Sequence, residues 1–304
     1  MIQIRDWLPF LGMPLMLLAV QIIAIILVTP MQVAGLVAFE NPESVANPLI
    51  FIGILLVFTL VLLALIRVRR RRFIAFLIGF AIFMTFLYIF GALFHLMLGT
   101  SGAVAAGTVI AAGAATALLY LYPEWYVIDI LGVLISAGIA SIFGVSLAIL
   151  PVIVLLVLLA VYDAISVYRT KHMITLAEGV LETKAPIMVV VPKRMDYSFR
   201  KEGLEIKEGE ERGAFVMGMG DLIMPSILVA SSHVFVDAPA VLWTLSAPTL
   251  GAMAGSLVGL AVLLYFVNKG NPQAGLPPLN GGAIAGFLIG AVLAGSLGWC
   301  PFCI

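Results

Sequence analysis

Two aspartates stand where the surrounding sequence leaves little room for charge. Asp163 lies in Leu158-Leu159-Ala160-Val161-Tyr162-Asp163-Ala164-Ile165, and Asp221 lies in Val216-Met217-Gly218-Met219-Gly220-Asp221-Leu222-Ile223. Most of the 16 acidic residues fall in polar stretches or close to the ends of apolar runs. A carboxyl at the centre of a membrane-spanning helix costs roughly 2.5–3.5 kcal/mol, so a pair of them asks for a function. Two carboxyls brought together in a low dielectric share one proton. The charged member can then take a proton from water while the neutral member donates a hydrogen bond to a carbonyl oxygen, which is the chemistry of amide hydrolysis. The same side chains would also serve a helix-to-helix hydrogen bond, or the relay of a proton- or ion-coupled transporter.

The elements that must position these acids are helices in lipid. The chain is 63% hydrophobic and 11% charged, with a mean hydropathy of +1.18, more apolar surface than a water-soluble core can hide. Its apolar runs suit a hydrocarbon core of ~30 Å at about 20, and as few as ~17, residues each. Nine are expected, over 9–29, 49–66, 73–95, 102–121, 126–144, 148–168, 213–235, 246–267 and 278–298, in an all-α membrane fold. Basic residues cluster at Arg5, Arg67, Arg69 to Arg72, between Arg169 and Arg212, and at Lys269; the stretches 30–48, 96–101 and 236–245 hold none. Nine spans with a cytoplasmic amino terminus put every cluster on the cytoplasmic side, as the positive-inside bias demands, and leave the carboxyl terminus outside. The first run reads as a retained helix, since it lacks a small-residue cleavage site. Trp7, Trp125, Trp243 and Trp299 fall near span ends, where an indole anchors at the interface.

The polar stretch divides the chain into a six-helix part, 1–168, a cytoplasmic loop, 169–212, and a three-helix part, 213–304. Arg169 follows Asp163 by six residues, or ~9 Å of helix, and Asp221 follows Arg212 by nine, or ~13 Å, so the two acids reach similar depths on antiparallel spans. Gly218 and Gly220 leave a patch without side chains beside Asp221, at a cost of up to about 1 kcal/mol each in a helix. Gly275-Leu276-Pro277-Pro278-Leu279 opens the ninth span with backbone lacking amide donors, suited to supporting an extended neighbour. Ile187 to Val191 is strand-prone and ends at Pro192; it is either part of a charged solvated loop or an edge strand able to pair with an extended peptide. Glycines at four-residue spacing, Gly251, Gly255, Gly259 and Gly282, Gly286, Gly290, predict close packing of the last two spans.

Tyr162-Asp163, Gly218-Met219-Gly220-Asp221 and Pro277-Pro278-Leu279 resemble the YD, GxGD and PAL signatures of the presenilin and signal peptide peptidase family, in order and over essentially the whole chain. Pro278 stands where the family has Ala. The resemblance implies an intramembrane aspartyl protease with Asp163 and Asp221 as the catalytic pair, with Tyr162, Gly218, Gly220, Pro277 and Leu279 binding or supporting the substrate. Its partners would be transmembrane helical proteins and the lipid bilayer, which is the plasma membrane if the cell is prokaryotic. The basic-residue pattern agrees with the presenilin orientation, hence with substrates whose amino termini lie outside.

Other patterns carry less. Gly99-Thr100-Ser101-Gly102 matches the GxSG pattern of rhomboid serine proteases, with His95 or His233 as conjectural partners, but is better explained as a tight turn. Cys300-Pro301-Phe302-Cys303 is a single CxxC, a weak metal signal that reads as a disulfide or as two unrelated thiols. No metal, no other cofactor and no nucleic acid are expected; homo-oligomerisation is left open.

Overall fold

A computed structural model describes residues 7–68, 71–170, 188–192, 197–202, 214–268 and 273–300. Arg5, Lys171, His172, Glu178, Glu182, Ile187, Lys193, Arg194, Glu208 to Arg212, Lys269 and Cys303 lie outside them. Nine principal helices follow in chain order: α1 Trp7–Val33, α2 Ala46–Arg67, α3 Arg71–Leu98, α4 Gly102–Leu121, α5 Trp125–Ser146, α6 Ile149–Ile165, α7 Met219–Phe235, α8 Ala247–Asn268 and α9 Leu276–Ala294. Eight of the described helices are long and apolar enough to cross a membrane, and α7 is a shorter apolar helix of 17 residues. The expected run 148–168 divides at Ile165, where α6 widens into a π turn, Ser166–Thr170.

The centre of the bundle is α5 and α7, which pack on each other and on α1. Small residues make this possible: a Cβ on Gly144 of α5 would run into Ala230 of α7. The reversal between α5 and α6 is held by polar side chains, with Ala38 N donating to Ser146 Oγ at 2.7 Å and Ser231 Oγ donating to Leu147 O at 2.7 Å. The glycines of α8 and α9 interleave as their spacing predicts, each occupying a space where a Cβ would strike the facing backbone: Gly251 against Gly286, Gly255 against Gly282, and Gly259 against Pro278.

One expected helix begins as a strand. Residues 214–218 form β2, paired antiparallel with β1, Met188–Pro192, in the register Val189↔Met217, Val190↔Val216, Val191↔Phe215. Apolar content cannot tell a short strand from a helix turn, and the partner that decides between them lies about two dozen residues upstream. Gly218 is therefore the extended residue before α7 (φ −65°, ψ 138°) and not a helical one. The helical rise from Arg212 used to compare depths does not apply, since extended residues advance ~3.3 Å each. The strand-prone run is a strand at one edge of a two-stranded sheet, and a covered one: Val189, Val190 and Val191 are buried, and α5 and α1 pack on it. A second short hairpin, β3 Ala240–Leu242 with β4 Leu245–Ser246, joins α7 to α8.

Candidate active site

Asp163 sits in the last turn of α6 and is 6% exposed. Its Oδ2 accepts a hydrogen bond from Leu276 N at 3.1 Å, and the Gly275 amide also faces it. Leu276 is the first residue of α9, and the residue before it, Gly275, has no side chain to cap the helix. Pro277 and Pro278 have no amides, so the foremost donors of α9 turn to a carboxyl on another helix. Asp163 does for α9 what a Ser or Asp cap does for a helix of its own.

Asp221 is the third residue of α7 and lies in its first turn, partly buried. Each acid thus meets the amino-terminal end of a helix, Asp221 its own and Asp163 that of α9. A helix dipole favours negative charge there by about 0.3–1 kcal/mol, up to ~2 in partly buried geometry, which offsets part of the cost of an acid at membrane depth. Pro225, four residues on, has no amide to give the Asp221 carbonyl, which loosens the turn that carries the acid.

The two acids converge on one peptide unit of the chain. A Cβ on Gly275 would lie 2.8 Å from Oδ2, 2.9 Å from Cγ and 2.9 Å from Oδ1 of Asp221, so the Gly275 backbone rests against that carboxyl. The N–H of the same Gly275–Leu276 peptide is the one bonded to Asp163. The approach to α9 is tied down a second time by the π turn: Tyr168 Oη donates to Gln273 Oε1 at 2.7 Å and accepts from Ala274 N at 3.4 Å. π turns inside or at the end of α-helices recur at functional sites, and here the widened turn follows three residues after an acid.

The remaining sequence-derived positions fall around this core. Tyr162 is partly buried beside Asp163. A Cβ on Gly218 would meet Asp221 Oδ2 at 3.8 Å, whereas Gly220 is exposed with nothing near its open face. Pro277 is partly buried, and Leu279 is fully buried in the contact with α8, its Cα beside Gly259. Sequence reasoning missed Tyr168, Gln273 and the buried Asp129 of α5. Asp129 stands within the first turns of its helix, where an acid draws no notice, and the Tyr168–Gln273 contact spans 105 residues.

Ser101 caps α4 by accepting from Val104 N at 3.2 Å. It shares an apolar cavity of about 480 Å³ with His95, and no hydrogen bond joins the two among the described residues. Cys300 is disulfide-bonded. The larger cavity, about 690 Å³, lies at the opposite ends of α6 and α7 from the two aspartates.

A bundle of membrane-crossing helices that brings two aspartates onto one peptide unit defines an integral, multi-pass membrane protein with an acid pair. The sequence profile of the family described as signal-peptide peptidase, presenilin aspartyl protease matches residues 13–296, and the chain belongs to that family. It is similar to the solved structure of a presenilin family intramembrane aspartate protease in space group C222, at 71% identity over 94% of this chain and 100% of the other, with a TM-score of 0.72. A structure of a presenilin family intramembrane aspartate protease in space group P2 shares 70% identity over 95% of this chain and 100% of that one, with a TM-score of 0.71. No curated protein sequence matches. The chain is an intramembrane aspartyl protease, and the transporter reading finds no support.

Proposed function

We propose that Asp163 and Asp221 are the catalytic pair and that the protein cleaves peptide bonds within the spanning helices of other membrane proteins. The observation that carries this reading is the Gly275–Leu276 peptide unit, which lies against both carboxyls at once. In hydrolysis, one carboxylate takes a proton from water as the water oxygen bonds to the scissile carbonyl carbon. The other carboxyl, protonated, hydrogen-bonds the carbonyl oxygen as it gains charge. When the C–N bond breaks, the amide nitrogen leaves with a proton from the pair, and one shared proton remains for the next turnover.

A substrate helix has its carbonyls bonded internally, so local unwinding must precede attack. The geometry supports β2 as the element that holds the unwound segment. In the pair Val190↔Val216, Val190 N turns away from β2, so by the antiparallel pattern Val216 turns its own amide and carbonyl away from β1. Those groups have no hydrogen bond among the described residues. An extended peptide added there runs alongside the residues that lead directly into Asp221. Gly218 and Gly220 leave space beside the acid, Tyr162 flanks Asp163, and Pro277 and Leu279 fix the start of α9. The basic-residue pattern supports a cytoplasmic amino terminus, an external carboxyl terminus and, in a prokaryotic cell, residence in the plasma membrane.

The test is cleavage of a single-span substrate by purified, reconstituted protein. Asp163→Asn and Asp221→Asn each lower the rate by at least about 10²-fold while leaving thermal unfolding close to that of the parent. A variant that still cleaves at the parent rate overturns the assignment.

A further inference from the structure

Asp129 is a third acid inside the bundle, and the catalytic reading gives it no work. It lies on α5, is 5% exposed, and its Oδ1 accepts a hydrogen bond from Val190 N of β1 at 2.7 Å. Its Oδ2 is buried with no partner among the described residues. An unpaired buried acceptor is unfavourable, so the residue persists for the bond it does make.

That bond closes one edge of the two-stranded sheet. Residues 188, 190 and 192 of β1 direct their backbone groups away from β2, by the alternation of an antiparallel ladder. Pro192 has no amide to offer, and the Val190 amide is already taken by Asp129. A proline and a charged side chain are the devices that blunt a strand edge against further pairing. The opposite edge, at Val216 of β2, carries neither. One helical turn beyond Asp129, a Cβ on Gly132 would lie 2.7 Å from Met219 Cε and 3.6 Å from Val189 Cγ1, so α5 holds both β1 and the residue that starts α7. Asp221 is two residues further on.

We propose that Asp129 is a positioning residue that determines cleavage specificity: by capping Val190 it blocks the β1 edge and anchors the sheet, so that a substrate strand adds only to β2 and in one register relative to Asp221. This inference rests on the proposed role of β2 and of the aspartate pair. Because successive residues of a strand face opposite sides, a slip of even one residue presents a different bond to the acids. The requirement is for an acceptor at Val190 N, not for a charge, and an asparagine meets it.

The experiment is mass-spectrometric mapping of every product cut from one single-span substrate in proteoliposomes, with KM and kcat measured alongside. Asp129→Ala spreads cleavage over bonds adjacent to the parental ones and raises KM about fivefold, the effect of losing one hydrogen bond, with kcat within about twofold. Asp129→Asn restores the parental product set and KM. Parental products and KM from folded Asp129→Ala overturn the proposal, as does an Asp129→Asn variant as scattered as the alanine. Should Asp129→Ala fail to fold, the asparagine variant decides alone: parental products uphold a neutral acceptor, and scattered products refute it. Failure of the underlying reading shows separately, as full cleavage by Asp163→Asn or Asp221→Asn.

Discussion

The helices α2 and α7 show how differently lipid and protein use apolar sequence. By hydropathy α2 is the foremost of the eight long spans, and it is almost wholly uncovered, with Ile54, Val57 and Leu60 all exposed. The shorter α7 carries Ser226, Ser231, Ser232, Asp221 and a proline, yet from Leu222 to Ser232 it is nearly all buried. In water the greasier helix would seek the core; in lipid there is no such drive, and the helix with small and polar residues goes to the centre because only other helices can satisfy it. The hydropathy maximum of this chain marks its periphery, and of the two acids only Asp221 rides on a helix rich in polar residues, since Asp163 ends the strongly apolar α6.

That contrast can be broken at single positions. The largest effect is expected at the centre, from Gly275→Val: the new side chain must displace the Asp221 carboxyl, and misplacement of an acid by about 1 Å costs roughly a hundredfold in cleavage rate. Gly144→Val comes next, since it drives α5 off Ala230 and Ser231 of α7; overpacking of this kind costs about 1–3 kcal/mol, read as a lowered midpoint in thermal unfolding of the solubilised protein. Ser231→Ala removes one buried hydrogen bond to Leu147 O and leaves that carbonyl short of a partner, for about 1 kcal/mol in the same assay. On α2, Gly53→Ala has open space around it and gains helix propensity, so a destabilisation beyond about 0.5 kcal/mol would contradict the peripheral reading.

Much of this was legible because lipid imposes one dominant rule. The α4 helix covers 102–121 as the hydropathy pattern expects, and α2, α3 and α5 agree within about three residues, the usual uncertainty of such boundaries. The GxGD motif ends at Asp221, and the fold brings that acid, across 54 positions of sequence, to Gly275, two residues before the Pro-Pro-Leu motif. The strand at Ala214–Gly218 was not legible, because an apolar five-residue stretch before an apolar helix has no period of its own, and its partner sits beyond a polar loop. Asp129 escaped for a related reason: the group it bonds is a backbone amide 61 residues away, which no local pattern reports. Nor could composition say that the start of α9 would lie against both acids, since the capping of Leu276 by Asp163 is a contact between helices.

The central claim is that the Asp163 and Asp221 carboxyls share one site for a peptide carbonyl. The direct measurement is a structure of the protein bound to a peptide analogue bearing a hydroxyl in place of the scissile carbonyl. The account predicts that hydroxyl within about 3 Å of a carboxyl oxygen of both aspartates, with the flanking backbone bonded to Val216 of β2. An analogue that inhibits while contacting neither acid, or only one, would contradict it.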